Sequence, residues 1–213
     1  MEQTIAHIEQ HLGTVSGVFH EILSDRVHVD VHVVPATADR PYMRLVTWGM
    51  SDLPMTLPDA VEAPQHMELM ITLPGSGPLQ QEAFDDERHY GPIRLLKVSV
   101  RLTHRHATWL GSDHTVSNGH PARPYANGVG FDGTIVMPST CVPDPDGFSR
   151  LFINKGKTVV FMSVVPLYPE EMMLALHRGT EALQERFRHK SVNDICTPRQ
   201  PNAAQKRLGA VTS

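Results

Sequence analysis

The chain has 213 residues and 23.7 kDa, with 40% hydrophobic and 20% charged residues. That is enough for one large domain with a substantial core, and the composition excludes collagen-like, coiled-coil and wholly disordered classes. A net charge of −4 offers no footprint for general nucleic-acid binding, and no apolar run reaches the roughly 18 residues of a membrane helix. The N-terminal Met1, Glu2 and Gln3 do not open a signal peptide, so a cytoplasmic protein is expected. Cys141 and Cys196 lie far apart with no CxxC partner, and both are expected to be reduced.

Ile5, Ile8 and Leu12 repeat at helical spacing ahead of Gly13, which predicts a short amphipathic helix with a glycine stop. The period then changes: Val27, Val29, Val31 and Val33 alternate with His28, Asp30 and His32, the pattern of a strand with one buried face. Tyr42 to Met50 and Met67 to Leu73 are further β-rich runs bounded by prolines. Pro92 to about Leu102 reads as a helix with proline in its first turn. The glycine-bearing stretch from Ser112 to Gly133 reads as a long irregular connection holding at most a brief strand.

Thr134 to Met137 predicts a strand, and Ile153 to Thr158 a turn into the apolar strand Val159 to Val165. Pro169, Glu170 and Glu171 open a last helix running to His189, with Arg186, Arg188 and Lys190 suited to its C-terminus. Beyond Lys190 the periodicity stops. The organisation expected is a single α/β (α+β) domain over residues 1–190, with a central mixed sheet flanked by helices, and a flexible polar and basic tail over residues 191–213.

Charge is unevenly placed. From Ser51 to Tyr90, eight acids (Asp52, Asp59, Glu62, Glu68, Glu82, Asp85, Asp86 and Glu87) face Arg88 alone. Such a segment suits a basic protein partner, because complementary fields chiefly raise association rates.

Motifs for chemistry are scarce: G-x-S-x-G, Walker, G-x-G-x-x-G and H-E-x-x-H patterns are all missing. Thirteen histidines are the compositional oddity. In His28-x-Asp30-x-His32, neighbours on one strand face lie about 7 Å apart and the two histidines about 13 Å apart, too far to share one ion. A pair from that face could be joined by His104, His106, His114 or His120, but solvated or hydrogen-bonded histidines explain the pattern as well. No metal and no cofactor are expected, and no catalytic residue is assigned. Two tryptophan segments, Trp48 to Asp52 and Trp109 to Thr115, combine an aromatic ring, a permissive glycine and an acid, as binding loops often do.

The ordered set Val18 to Ile22, Val27 to Val34, Thr47 to Met55, Glu68 to Ile71, Trp109-Leu110-Gly111, His114-Thr115 and Leu167 to Met172 resembles bacterial Suppressor-of-fused domain proteins from about residue 5 to 190. The resemblance implies a fold similar to the N-terminal half of animal Suppressor of fused, which holds transcription factors by adding their peptide as a strand. Gly111-Ser112-Asp113-His114 looks like the counterpart of a peptide-contacting Gly-Asp-His segment, with one residue inserted. The aromatic that assists there falls near Arg101 or Leu102, neither of which is aromatic.

For bacterial members the resemblance implies a non-catalytic protein-binding domain, an immunity protein or antitoxin that neutralises a toxin such as a nuclease. The alternatives are an intracellular regulator that captures a partner peptide and, from another class, a metal-dependent hydrolase using the histidine-rich face. The expected protein-binding residues are Trp109, Gly111, Asp113 and His114, joined by Asp52, Asp85 and Asp86 of the acidic segment. The partner expected is a protein, with neither nucleic acid nor membrane, and the oligomeric state is left open.

Overall fold

The structure is a computed structural model that describes residues 2–20, 28–75, 87–197 and 200–205. The chain opens with helix α1 (Glu2–Leu12), followed by strands β1 (Gly17–Phe19), β2 (Asp30–Val34) and β3 (Tyr42–Trp48). A short 3-10 turn (Met50–Asp52) leads to β4 (His66–Pro74) and helix α2 (Glu87–Arg105). After β5 (Thr115–Ser117) and β6 (Gly133–Met137) come helix α3 (Pro145–Ser149), strands β7 (Arg150–Asn154) and β8 (Lys157–Leu167), and helices α4 (Pro169–Arg178) and α5 (Thr180–Lys190).

Eight strands form one mixed sheet in the order β1-β2-β3-β4-β8-β6-β5, with β7 pairing the first half of β8. Among the described strands the β4–β8 pairing alone is parallel, set by His66↔Val159 through Met70↔Ser163. Among the described residues no helix is long and apolar enough to cross a membrane.

Helices cover both faces. Val29 just before β2, Val31 and Val33 of β2, Leu45 of β3, Leu69 of β4, Val136 of β6 and Val164 of β8 pack with Ile93, Leu96 and Val100 of α2. The alternate residues turn the other way. There Val34, Val46, Met70 and Phe161 meet Ile8 and Leu12 of α1 and Phe148 of α3, while Ile135, Val165 and Leu167 meet Met172 and Ala175 of α4 and Leu183 and Phe187 of α5. A sheet covered on both sides buries consecutive residues.

That architecture corrects four expectations. The alternation around β2 does not mark one solvated face, because every residue from Val29 to Val34 is buried, His32 and Asp30 included; His28 is exposed, and Val27 lies outside the described residues. Helix α2 starts five residues before Pro92, which leaves one carbonyl of its first turns without a helical donor but does not end it. The last helix is two: Gly179 at φ 83° breaks the run, and its N–H closes α4 by donating to Ala175 O at 3.0 Å.

The fourth concerns the tail. Residues 191–197 and 200–205 are anchored rather than loose, with Asp194 and Ala203 fully buried. Asp194 accepts from the hydroxyls of Ser139 (2.6 Å), Thr140 (2.8 Å) and Ser163 (2.7 Å), and Ile195 bridges beside Thr72 of β4. Glu171 of α4 takes the Ala203 N–H at 2.6 Å. Polar composition hid this order because two carboxylates anchor the segment, with only Val192, Cys196 and Ala203 among its described residues adding apolar contacts.

Candidate functional site

One groove gathers the residues expected around Asp113. Helix α2 ends in a turn through Ala107 (φ 47°), after which Trp109 and Leu110 run back against the α2 core cluster. Gly111 is required by that path: a Cβ there would sit 2.6 Å from the Trp109 ring. The indole lies across the bare glycine backbone and meets the His114 ring edge-on at 4.2 Å between centroids. Together with Leu102, Asp113 and Val116 they line an open groove of about 550 Å³ along β5.

Asp113 is placed differently from the free acid that a loop position suggests. It adopts a left-handed backbone (φ 70°), which Asp tolerates better than most residues, and it is only half-exposed. Its N–H donates to Val136 O at 2.7 Å, and its carboxylate accepts from the Gln184 side-chain amide of α5. Asp113 therefore pins the loop to β6 and α5 while keeping an edge on the groove.

The next residues zip onto β6. His114 O accepts from Val136 N at 2.9 Å, and Asn118 N donates to Asp132 O at 2.8 Å. In an antiparallel ladder, residues that bond inward alternate with residues that point outward. With 114 and 118 turned inward, the backbone groups of Thr115 and Ser117 face away from β6, and no described strand covers that side; the Ser117 carbonyl accepts the Gly119 N–H at 3.0 Å, which leaves the Ser117 N–H and both groups of Thr115 as the outward edge. The sheet thus ends in an open edge beside an aromatic groove.

The other sites expected from sequence lie elsewhere. Asp52 is on the 3-10 turn, its carboxylate 3.9 Å from Lys157 Nζ, and does not line the groove. Asp85 and Asp86 fall outside the described residues. The Trp48 to Asp52 segment is built as a brace: the Glu68 carboxylate accepts from the Thr47 hydroxyl (2.6 Å) and the N–H groups of Gly49 (3.1 Å) and Ser51 (3.0 Å). Burial pushes the Glu68 carboxyl up to about 7 despite those bonds. Being fully buried, Glu68 contributes nothing to the surface charge of the acidic segment.

Three histidines act as ordinary polar partners of backbone carbonyls. His7 meets Phe148 O at 2.9 Å, His66 meets Ser51 O at 2.8 Å and His104 meets Met50 O at 3.3 Å. Burial lowers the pKa of His7 and of His104, so both favour the neutral ring. Burial likewise raises the thiols of Cys141 to about 11 and Cys196 to about 12, away from nucleophile chemistry, and both are free cysteines.

One polar cluster has metal-ligand chemistry. His20, just past β1, stands opposite Asp30 of β2 with Nδ1 3.1 Å from Oδ1, and His28 Nε2 approaches the same oxygen at 2.9 Å. The sequence pattern had joined His28 and Asp30 to His32 and to histidines of later segments. The actual third member, His20, comes from the cross-strand register Phe19↔Val31, one step further along.

These features define an α/β domain with a covered mixed sheet, an open edge beside an aromatic groove, and no assembled nucleophile and base among the described residues. The Suppressor of fused protein (SUFU) family profile matches residues 25–200, and the chain belongs to that family. Its fold is similar to a putative SUFU homologue from Neisseria gonorrhoeae at 15% identity, covering 96% of this chain and 97% of that one with a TM-score of 0.64. A Sufu–Fu complex structure shares 13% identity over 95% of this chain and 91% of that one, TM-score 0.64. Drosophila Suppressor of Fused shares 14% identity over 83% of this chain but 42% of its own length, TM-score 0.52. No curated protein sequence matches significantly.

Proposed function

We propose that the chain is a non-catalytic protein-binding domain that takes an extended segment of a partner protein at the β5 edge, and that it serves as an immunity protein or antitoxin against a toxin. The observation that carries the binding reading is the outward pair Thr115 and Ser117 beside the groove of Trp109, Asp113 and His114, with Gly111 beneath the indole. Strand addition draws affinity from main-chain bonds and selectivity from side-chain pockets at alternate positions, and this edge offers both. The relative seen as a Sufu–Fu complex supports partner binding on this fold. Asp52, Asp85 and Asp86 serve as an acidic steering surface for a basic partner, which agrees with the charge run around them.

The test is Ser117→Pro in cells expressing a toxin-like protein encoded beside this one. Proline removes an outward N–H without touching the bonds to β6, and Val116 before it is already extended. The wild-type chain should restore growth and co-purify with the toxin, whereas Ser117→Pro should do neither. Protection by both proteins would overturn the β5 edge as the binding surface. Co-purification without protection would favour the regulator reading over immunity.

A further inference from the structure

We propose that His20, His28 and Asp30 form a site for a first-row divalent transition ion, with zinc the best match, that ties β1 to β2 at the far edge of the sheet. One ligand atom from each residue lies within 4.8 Å of the other two. The Asp30 oxygen is 3.1 Å from His20 Nδ1 and 2.9 Å from His28 Nε2. Ligands on a tetrahedral zinc with bonds of about 2.0–2.1 Å sit roughly 3.3 Å apart; both contacts to Asp30 are within a few tenths of an ångström of that, and the two histidine nitrogens, within 4.8 Å of each other on exposed side chains, close on the ion by rotamer adjustment. Two imidazoles and one carboxylate favour zinc, cobalt or nickel over calcium or magnesium, which take oxygen ligands.

The surroundings agree. Asp30 is buried with its side chain 8% exposed, while His20 and His28 are 69% and 57% exposed, an inner anchor with an open outer side. A buried carboxylate needs polar partners. Lys97 of α2 donates to the His20 backbone carbonyl at 3.2 Å, which fixes the backbone of one ligand. His32, two residues on from Asp30 along the same face, is 5% exposed with neither ring nitrogen hydrogen-bonded, and lies outside the three-ligand group. Beta1 itself pairs over only Gly17 to Phe19. An ion joining residues 20 and 28 closes the intervening chain as a clip, the kind of link that removes loop entropy from the unfolded state.

Zinc titration of the metal-free full chain, followed by calorimetry and by melting, tests the site, with cobalt absorption as a second probe. The expected result is one equivalent of zinc, a raised melting temperature and ligand-field bands of four-coordinate cobalt. His20→Ala, His28→Ala and Asp30→Asn should each weaken zinc by at least about tenfold, and His106→Ala, at an exposed turn outside the cluster, should leave it unchanged. Both ligand histidines are exposed, so their variants should keep the metal-free circular dichroism spectrum, and they decide the matter if Asp30→Asn fails to fold. Zinc affinity unchanged in the two histidine variants, or lost equally in His106→Ala, would overturn the proposal as adventitious histidine binding.

Discussion

The two ends of the sheet are built on the same scale and put to different use. Beta1 and β5 are each three residues long, and each is the last described strand on its side. Short edges limit unwanted pairing between chains. At the β1 end the edge is followed by a compact polar cluster around Asp30, whereas at the β5 end it borders an open groove with an indole and an imidazole on its wall. A compact polar cluster suits a small ion, and an open amphipathic groove suits a chain segment. The contrast teaches that function on this fold follows from what is packed beside each edge rather than from the edge strands themselves.

The largest effect that would break this contrast comes from Glu68, which braces the turn beside the β1 end. Gly49, held by Glu68, passes so close to His28 that a Cβ on it would fall 2.0 Å from the His28 carbonyl oxygen. The folded Glu68 carboxyl titrates near 7 against an ordinary 4.5, so the folded state binds its proton more tightly. Its contribution is therefore complete below about pH 4 and lost as pH rises through 7, by up to about 3 kcal/mol. Denaturant unfolding of wild type and Glu68→Gln across pH 5 to 8 measures this as a difference that moves in favour of the variant as pH rises. A constant difference would show that the carboxyl is ionised throughout and that the turn beside His28 is held by charge.

A middle-sized effect sharpens the β5 side. Asp113→Arg removes the acceptor for Gln184 and places a long side chain at φ 70°, which should cost about 1–3 kcal/mol of stability. Asp113→Asn keeps an oxygen acceptor and a residue at ease in the left-handed region, and should cost under about 1 kcal/mol. Urea midpoints of the two variants provide the comparison. Equal losses would mean that Asp113 acts through its charge alone, and the pinning of the loop to α5 would lose its support.

Both edges were only partly legible in sequence. Long alternating or apolar runs around Leu45, Leu69, Ile135 and Val160 gave the central strands, because burial on a sheet leaves a period that survives without partners. Three-residue edges leave no period, so β1 went unread and β5 was foreseen only as a brief strand within a long connection. The segment Pro145 to Asn154 hid a helical turn and a strand behind prolines and glycine. Trp109, Gly111, Asp113 and His114 were legible as one group because they are near neighbours in the chain. His20 was not assigned to the metal-ligating set because its partnership with Asp30 depends on cross-strand register, which no local pattern carries. Glu68 and Asp194 were missed for a related reason: a buried acid looks in sequence like any other charge.

The smallest expected effect bears on how the groove is held ready. Trp109 and His114 touch edge to face, a contact worth about 0.5–1.5 kcal/mol beyond burial, and both rings are only half-buried. His114→Ala should therefore lower stability by under about 1 kcal/mol, because the bonds from His114 to β6 run through its backbone carbonyl and survive the change. The indole, however, loses its neighbour on the groove side while Gly111 still supports it from beneath. With Trp48 as the only other tryptophan, a change in tryptophan emission of the folded His114→Ala protein reports on Trp109. A shift to longer wavelength, together with a near-normal melting temperature, is the outcome expected of a ring held on the groove wall by His114. Unchanged emission would mean that Gly111 and the α2 core cluster fix the indole alone, and that the β5 groove keeps its shape without the histidine.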